Sequence, residues 1–479
     1  MSFATEAAKS VNDARILVEI DITPVNEQWV NNGAGIWAYN LDVNYPWVDD
    51  SLLDADWISS ALLNVGSVLS DGANLVGISD TANLTPLEYV WDAANKDLYV
   101  CIQNYNDPHI HDVRVGLIFG FSYDEFTPSG MLTPQPYEGR LTGVPRVTLA
   151  RDPLFFGKIR FGGGSISINN MDGEFDTFVQ DNNVYGNEAR VFIGFADLDY
   201  GDYERVFTGY IDSVNVSEET ISFAISDRRK QLTRPIQITA TAQNPVTMIR
   251  DILTTSFQAS FDTDFFDTTA WNVATTDVDN DGLTVSLNMQ DPESAIDVIQ
   301  NLCVAAAGVF YITPDNLYSF RQIDPDAADA FTVLNNDILN QKSVAYDTAD
   351  VVSSVRVGYA RDWVTASNQY TYHTDDSHET SVFTAYRTYN EKTFDTYLNT
   401  LTSATNWANV TYPWSTEVHG SIDIQVPIAY YDDVVITEVF AAQLNRPQTT
   451  MLGTVSTEIR SISWNLEKVP TITIGGKLT

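Results

Sequence analysis

Cysteine is nearly absent: Cys101 and Cys303 are the only two in 479 residues. They stand too far apart for a disulfide framework or a zinc-ligand spacing, and both read as small buried hydrophobes. Basic residues are scarce, 26 Lys and Arg against 64 Asp and Glu, for a formal net charge of -38. A chain this acidic repels phosphate, and the basic groove needed to grip nucleic acid is barely hinted at. No apolar run approaches the roughly twenty residues that cross a bilayer. The opening MSFATEAAKSVNDARIL has no basic stretch leading into an apolar core, so synthesis and folding in a cytoplasm are expected. A Ser-centred nucleophile elbow, an HExxH helix and a Cys/His arrangement are also missing. Carboxylate pairs abound, but glycoside hydrolysis needs two facing each other across roughly 5 to 9 Å, and no spacing singles out a pair. Catalysis is not expected.

What is present points to strands. Hydrophobic residues make up 44% and aromatics 12%, the composition of a globular chain, and its length calls for three or four cores. Tyr, Phe, Trp, Val, Ile and Thr crowd together, which favours β structure. The organising stretch is Val206 to Leu232, VFTGYIDSVNVSEETISFAISDRRKQL. Tyr210 to Val216 and Ile221 to Ile225 alternate in polarity around an SEE turn, with Ile221, Phe223 and Ile225 on one face, which predicts a hairpin with one buried side. ILVEIDITP predicts an earlier strand with Val18, Ile20 and Ile22 on one face. YVWDAANKDLYVCIQ predicts two strands about an AANKD turn, and VRVGLIFGFSYDEF another.

Helical signals are few. Asn244-Pro245 reads as an N-cap with proline at N1, followed by the stripe Ile249, Ile252, Leu253, Phe257. Asp291-Pro292-Glu293 repeats the device before Ala295, Ile296, Ile299, Leu302, Cys303 and Ala306, with Gly308 as the stop. A hairpin about Pro314-Asp315-Asn316 follows. Beyond it, strands are expected at Asp350 to Ala360, Ser381 to Tyr389, Ser421 to Tyr431, Val434 to Ala442 and Ser456 to Ile474, with one helix at Phe394 to Val410.

The motif of the organising stretch, Gly-hydrophobic-x-Asp, a short turn, an alternating strand, then Asp227, Leu232 and Pro235 in an Asp-x-x-x-x-Leu-x-x-Pro pattern, resembles a strand pair of baseplate hub proteins of tailed bacteriophages. GSISINNMDGEFD (Gly164 to Asp176) and ARVFIGFADLDYGDYERVFTGYI (Ala189 to Ile211) resemble the first tail-tube-like barrel of the same family, over residues 145 to 330 as a whole. The resemblance implies a mainly β fold with an α+β insertion: two tail-tube-like β-barrels plus smaller accessory modules. The expected parts are a β-rich module at 1–144, a first barrel at 145–237, an α+β module at 238–345 and a second barrel at 346–479. It further implies a homotrimer, tube or distal tail protein above, fibre or spike below, and DNA passing without specific binding. A lumen of negative field suits that passage, while acidity equally serves solubility. The aromatics leave a second class open, a receptor- or carbohydrate-binding β protein, since such rings stack on sugar faces. An envelope hydrolase is a third.

Candidate site residues follow from local spacing. DVDNDG places Asp277, Asp279 and Asp281 like the first half of a calcium loop, but the twelfth position is Asn288, so the alternative is a polar hairpin loop. No cofactor beyond calcium is implied. His109-Ile110-His111-Asp112 and HTDDSHE (His373 to Glu379) offer ligands that read more simply as surface or hairpin-tip residues. The Gly162-Gly163-Gly164 run lacks the Lys-Ser/Thr of a phosphate loop. Basic residues gather at Arg140, Arg146, Arg151, Lys158 and Arg160, and again at Arg228, Arg229, Lys230 and Arg234. Each cluster reads either as a seam against an acidic neighbour subunit or as a solvated face.

Overall fold

The structure is a computed structural model that describes residues 14–24, 29–33, 36–40, 69–70, 73–74, 76–77, 88–92, 97–101, 117–130, 137–150, 163–173, 175–176, 182–257, 259–339, 344–364, 369–431, 433–445, 452–466 and 470–479. The chain forms two compact units. One comprises Met1–Pro145, Gly164–Ile225 and Leu466–Lys468; the other comprises Arg146–Gly163, Ser226–Asn465 and Val469–Thr479. The fold is mainly β, and the α-helices among the described residues lie in the second unit.

The first unit is built on an eight-stranded sheet. Its spatial order is Leu141–Gly143, Gly163–Asn169, Thr220–Ser226, Glu204–Val216, Glu188–Phe195, Ala14–Pro24 and Asn182–Asn183, with Leu117–Ser122 also paired to Ala14–Pro24. The organising hairpin forms as its alternation predicts: Ile221, Phe223 and Ile225 are buried, and the Ser217 N–H closes the turn on Thr220 O at 2.9 Å. Ala14–Pro24 departs from its predicted pattern. It lies between Glu188–Phe195 and Leu117–Ser122, antiparallel to both, and Ile16, Leu17, Val18, Glu19 and Ile20 are all buried. An interior strand covered on both faces hides the residues that alternation assigns to solvent. Glu88–Asp92 and Asp97–Cys101 pair antiparallel within a five-stranded sheet, and residues 93–96 of the predicted AANKD turn lie outside the described residues.

The second unit holds a seven-stranded sheet ordered Thr332–Val333, Val439–Asn445, Leu452–Asn465, Thr471–Leu478, Gly420–Pro427 and Val344–Tyr346, with Val147–Ala150 added along Leu452–Asn465. Every described pairing in it is antiparallel except Thr332–Val333 with Val439–Asn445. Beside it stand five described helices: α1 (Pro245–Ser256), α2 (Thr268–Asn280), α3 (Ala295–Ala305), α4 (Glu379–Tyr386) and α5 (Leu401–Ser415). One apolar core joins α1, α2, α3 and the hairpin Gly308–Ile312/Tyr318–Gln322 to Phe394, Leu398, Trp407 and Tyr412. Trp407 Nε1 donates to Val304 O at 2.7 Å and ties α5 to α3. Among the described residues no helix is long and apolar enough to cross a membrane.

Several local expectations are corrected. The α1 start is as read, with Asn244 Oδ1 accepting from Val246 and Thr247 N–H at 2.8 and 3.2 Å. For α3, however, Ser294 rather than Asp291 precedes the helix, because Glu293–Ser294 is drawn into a bridge with Pro235–Ile236. Gly308 begins a strand rather than stopping the helix. Ala307 takes the positive φ of 49°, and a side chain on Gly308 would meet Arg321 O at 2.6 Å. Ser381 to Tyr389, expected as a strand, lies largely in α4, and the expected helix from Phe394 begins only at Leu401, after the strand Glu391–Asp395.

Candidate functional site

Among the described residues of the first unit, a buried charged cluster grows from two polar residues in an otherwise apolar strand. Glu19 and Asp21 share one face of Ala14–Pro24 because side chains alternate with a period of two. Glu19 lies opposite Arg190 on one neighbouring strand and Gly120 on the other. Gly120 is needed there: a Cβ would meet the Tyr137 ring at 2.8 Å. With that space open, the Tyr137 hydroxyl donates to Glu19 Oε1 at 2.7 Å, and Tyr200 donates to the same oxygen at 2.6 Å. Arg190 Nε donates to Glu19 Oε2 at 3.1 Å, while its Nη atoms reach both oxygens of Asp21 and, at 3.3 Å, Glu188 Oε2. Three carboxylates thus share one guanidinium. Burial lifts Asp21 to about 6, against the pull of Arg190. Burial also works against the Arg190 charge, but Asp21, Glu19 and Glu188 more than offset it and hold its pKa above the ordinary value. The Tyr137 and Tyr200 phenols are pushed up by burial and then by Glu19. The cluster is a network of satisfied partners that locks three strands and two aromatic rings together. Its sequence signal, two acids inside ILVEIDITP, was visible, but the partners were not.

The second unit carries a groove of about 570 Å³. One wall is α2, where Ala270, Val273, Ala274 and Asp277 recur at i, i+3, i+4 and i+7 and so form one stripe. Arg321 and Gln322 of the hairpin, the turn Asp324 to Ala330 and the segment Thr437 to Val439 complete it. Four carboxylates line it, Asp267, Asp277, Asp324 and Glu438, against the single guanidinium of Arg321. Asp267 caps α2 by accepting from Ala270 N–H at 3.1 Å, and Glu438 accepts from Arg321 Nη1 at 2.5 Å. The Asp277 carboxyl is raised above its ordinary value, by burial first and then by the charges of Asp281 and Asp324.

The sequence-derived candidates fall out differently. Asp277 and Asp279 lie in the last turns of α2, and Asp281 is its C-cap, so the expected loop is the end of a helix. A helix turns about 100° per residue, which sends positions 277 and 279 to opposite sides. Asp279 Oδ1 accepts from Asn244 Nδ2 at 2.8 Å, and Asp281 Oδ2 accepts from Gln322 Nε2 at 2.6 Å. Among the described residues, no group of three or more His, Cys, Asp or Glu side chains is placed to hold a metal ion. The three carboxylates therefore do not converge as a calcium loop requires.

Of the basic clusters, Arg151, Lys158 and Arg160 lie outside the described residues, as do His109 and His111. Arg146 is exposed and its Nε donates to Ser463 Oγ at 3.1 Å. Arg228 is half-buried with its guanidinium over the Phe265 and Tyr318 rings, at 5.3 and 5.4 Å, and Lys230 is exposed. Arg229 is 1% exposed and paired with Asp227, whose other oxygen caps the following short 3-10 helix, Arg228–Thr233. Buried and paired within the chain, its guanidinium is not presented at the surface as the expected seam requires. The DRRK run looked like surface because sequence does not show that Asp227 brings its own partner inside.

No family model and no curated protein matches the chain. In fold it is similar to several solved tail proteins. The tail protein from Neisseria meningitidis has 10% sequence identity and a TM-score of 0.45, over 74% of this chain and 95% of that one. The 43 kDa tail protein of prophage MuSo2 from Shewanella oneidensis has 13% identity and a TM-score of 0.44, over 74% and 97%. The prophage tail protein gp18 from Listeria monocytogenes has 8% identity and a TM-score of 0.42, over 74% and 94%.

Proposed function

We propose that this chain, like the tail proteins it is similar to in fold, is a structural component of a phage-type tail. In this reading it is a baseplate hub that caps the tube, adapts its symmetry to the tip and forms part of the ejection channel. The supporting observation is architectural: apart from the strand Val147–Ala150, two large, mainly antiparallel sheets are separated in the chain by a helix-bearing segment, the layout that the strand-pair resemblance implies. Three copies with two such sheets each would match a six-fold tube ring. The net charge of -38 suits a wall past which DNA slides without sticking. Action is mechanical: an interface shifts on receptor engagement and the lumen opens. Large aromatic side chains serve packing at Trp271, Trp407 and Trp464, all buried, so sugar stacking is the less supported reading.

Electron microscopy of the intact particle tests this. The hub reading expects density for three copies between the tube and the tip, with acidic side chains on the lumen. A peripheral position, or a lysine-rich lumen, rejects it.

A further inference from the structure

We propose that the groove between α2 and the hairpin of the second unit receives a lysine- or arginine-bearing segment of a partner protein. Two of its carboxylates are already engaged, Asp267 as a helix cap and Glu438 with Arg321. Asp277 and Asp324 remain, and among the described residues neither is ion-paired. Burial first, then the charges of Asp281 and Asp324, raise the Asp277 carboxyl above its ordinary value, and a cation held in the groove relieves the charge part of that shift. The floor explains why that cation is carried on a side chain. Val273 is 57% exposed and is flanked by alanines of α2 and of the 327–330 turn, an apolar track for a methylene stem below a charged head. A bare metal ion is disfavoured, since no three ligands converge among the described residues. At this groove a second copy of the chain is the less complementary occupant, because the chain carries 64 acidic against 26 basic residues. The complementary occupant is therefore a basic, small-residue segment of another protein. This inference does not depend on the hub reading.

The test uses the full chain and three fluorescein-labelled heptapeptides that alternate Ala with Arg and Lys, with Gln, or with Glu. Fluorescence anisotropy at low salt is expected to show saturable binding of the Arg/Lys peptide alone. Asp277→Asn with Asp324→Asn is expected to weaken it about tenfold, and Val273→Trp, which fills the floor, to abolish it. Asp324→Asn keeps the oxygen that caps Asp326 N–H at 3.1 Å, so folding is preserved, and matched thermal melts check this. Glu218→Gln with Glu219→Gln, on the exposed hairpin turn, removes the same charge and is expected to leave binding unchanged. Equal loss in that control would reduce the effect to net charge and overturn the proposal. So would equal binding of the Gln peptide, no binding of the Arg/Lys peptide, or competition by self-association seen in sedimentation.

Discussion

The Tyr137 hydroxyl donates to Glu19 Oε1 at 2.7 Å, joining residues 118 positions apart and holding an aromatic ring over Gly120 in the same contact. Glu19 is 4% exposed, so each donor it keeps replaces water that cannot reach it. Tyr137→Phe is expected to cost about 1 to 3 kcal/mol, read by urea unfolding. Arg190→Leu, which strands three carboxylates, is expected to cost about 3 to 5 kcal/mol. A silent Arg190→Leu would show that the cluster does not support the sheet.

Asp21 supplies a pH signature. Its folded pKa is raised from 3.8 to about 6. The folded state therefore holds this proton more tightly than the unfolded chain, and the contribution to stability is complete below about 4 and lost as pH rises through about 6. Asp21→Asn removes the loss. Between pH 4 and pH 7 its stability relative to the parent is expected to improve by on the order of 2 kcal/mol in paired denaturation curves. Parallel curves across that window would refute the assignment.

Asn244 works in two directions. Its Oδ1 caps α1, and its Nδ2 donates to Thr275 O and Asp279 Oδ1 of α2 at 3.0 and 2.8 Å. Asn244→Ala is expected to cost roughly 1 to 2 kcal/mol. Asn244→Asp keeps the capping oxygen but sets an anion against Asp279, so it should approach the alanine loss at neutral pH and recover on acidification. Full retention of stability at neutral pH would argue against the α1–α2 tie.

Calcium offers a direct check on the helical placement of Asp277, Asp279 and Asp281. Millimolar calcium is expected to leave the melting temperature of the chain unchanged. A rise that the Asp279→Ala variant loses would restore the loop reading.

Where neighbours in sequence are neighbours in space, the residues were readable. The SEE hairpin and the Asn244-Pro245 helix start follow from alternation and capping alone. The departures of the structure from local pattern have physical causes. Only Val382 is buried in α4, so its apolar residues carried no helical stripe, and β-branched and aromatic side chains suggested a strand. α2 is rich in Thr, Asp and Val, poor helix formers, yet Trp271, Ala274 and Val278 sit inward at helical spacing. The Glu19 cluster and the groove each gather side chains from segments far apart in the chain. No local pattern encodes such a meeting.

Among the described strands, Val147–Ala150 pairs with Leu452–Asn465, with Val147 opposite Trp464. On the ribosome this early segment must wait for some three hundred further residues before its bare edge is covered, at a synthesis pace of roughly 5 to 20 residues per second. The second unit therefore completes itself late, and a chain released before Leu452 would leave an open strand edge available to chaperones or to aggregation.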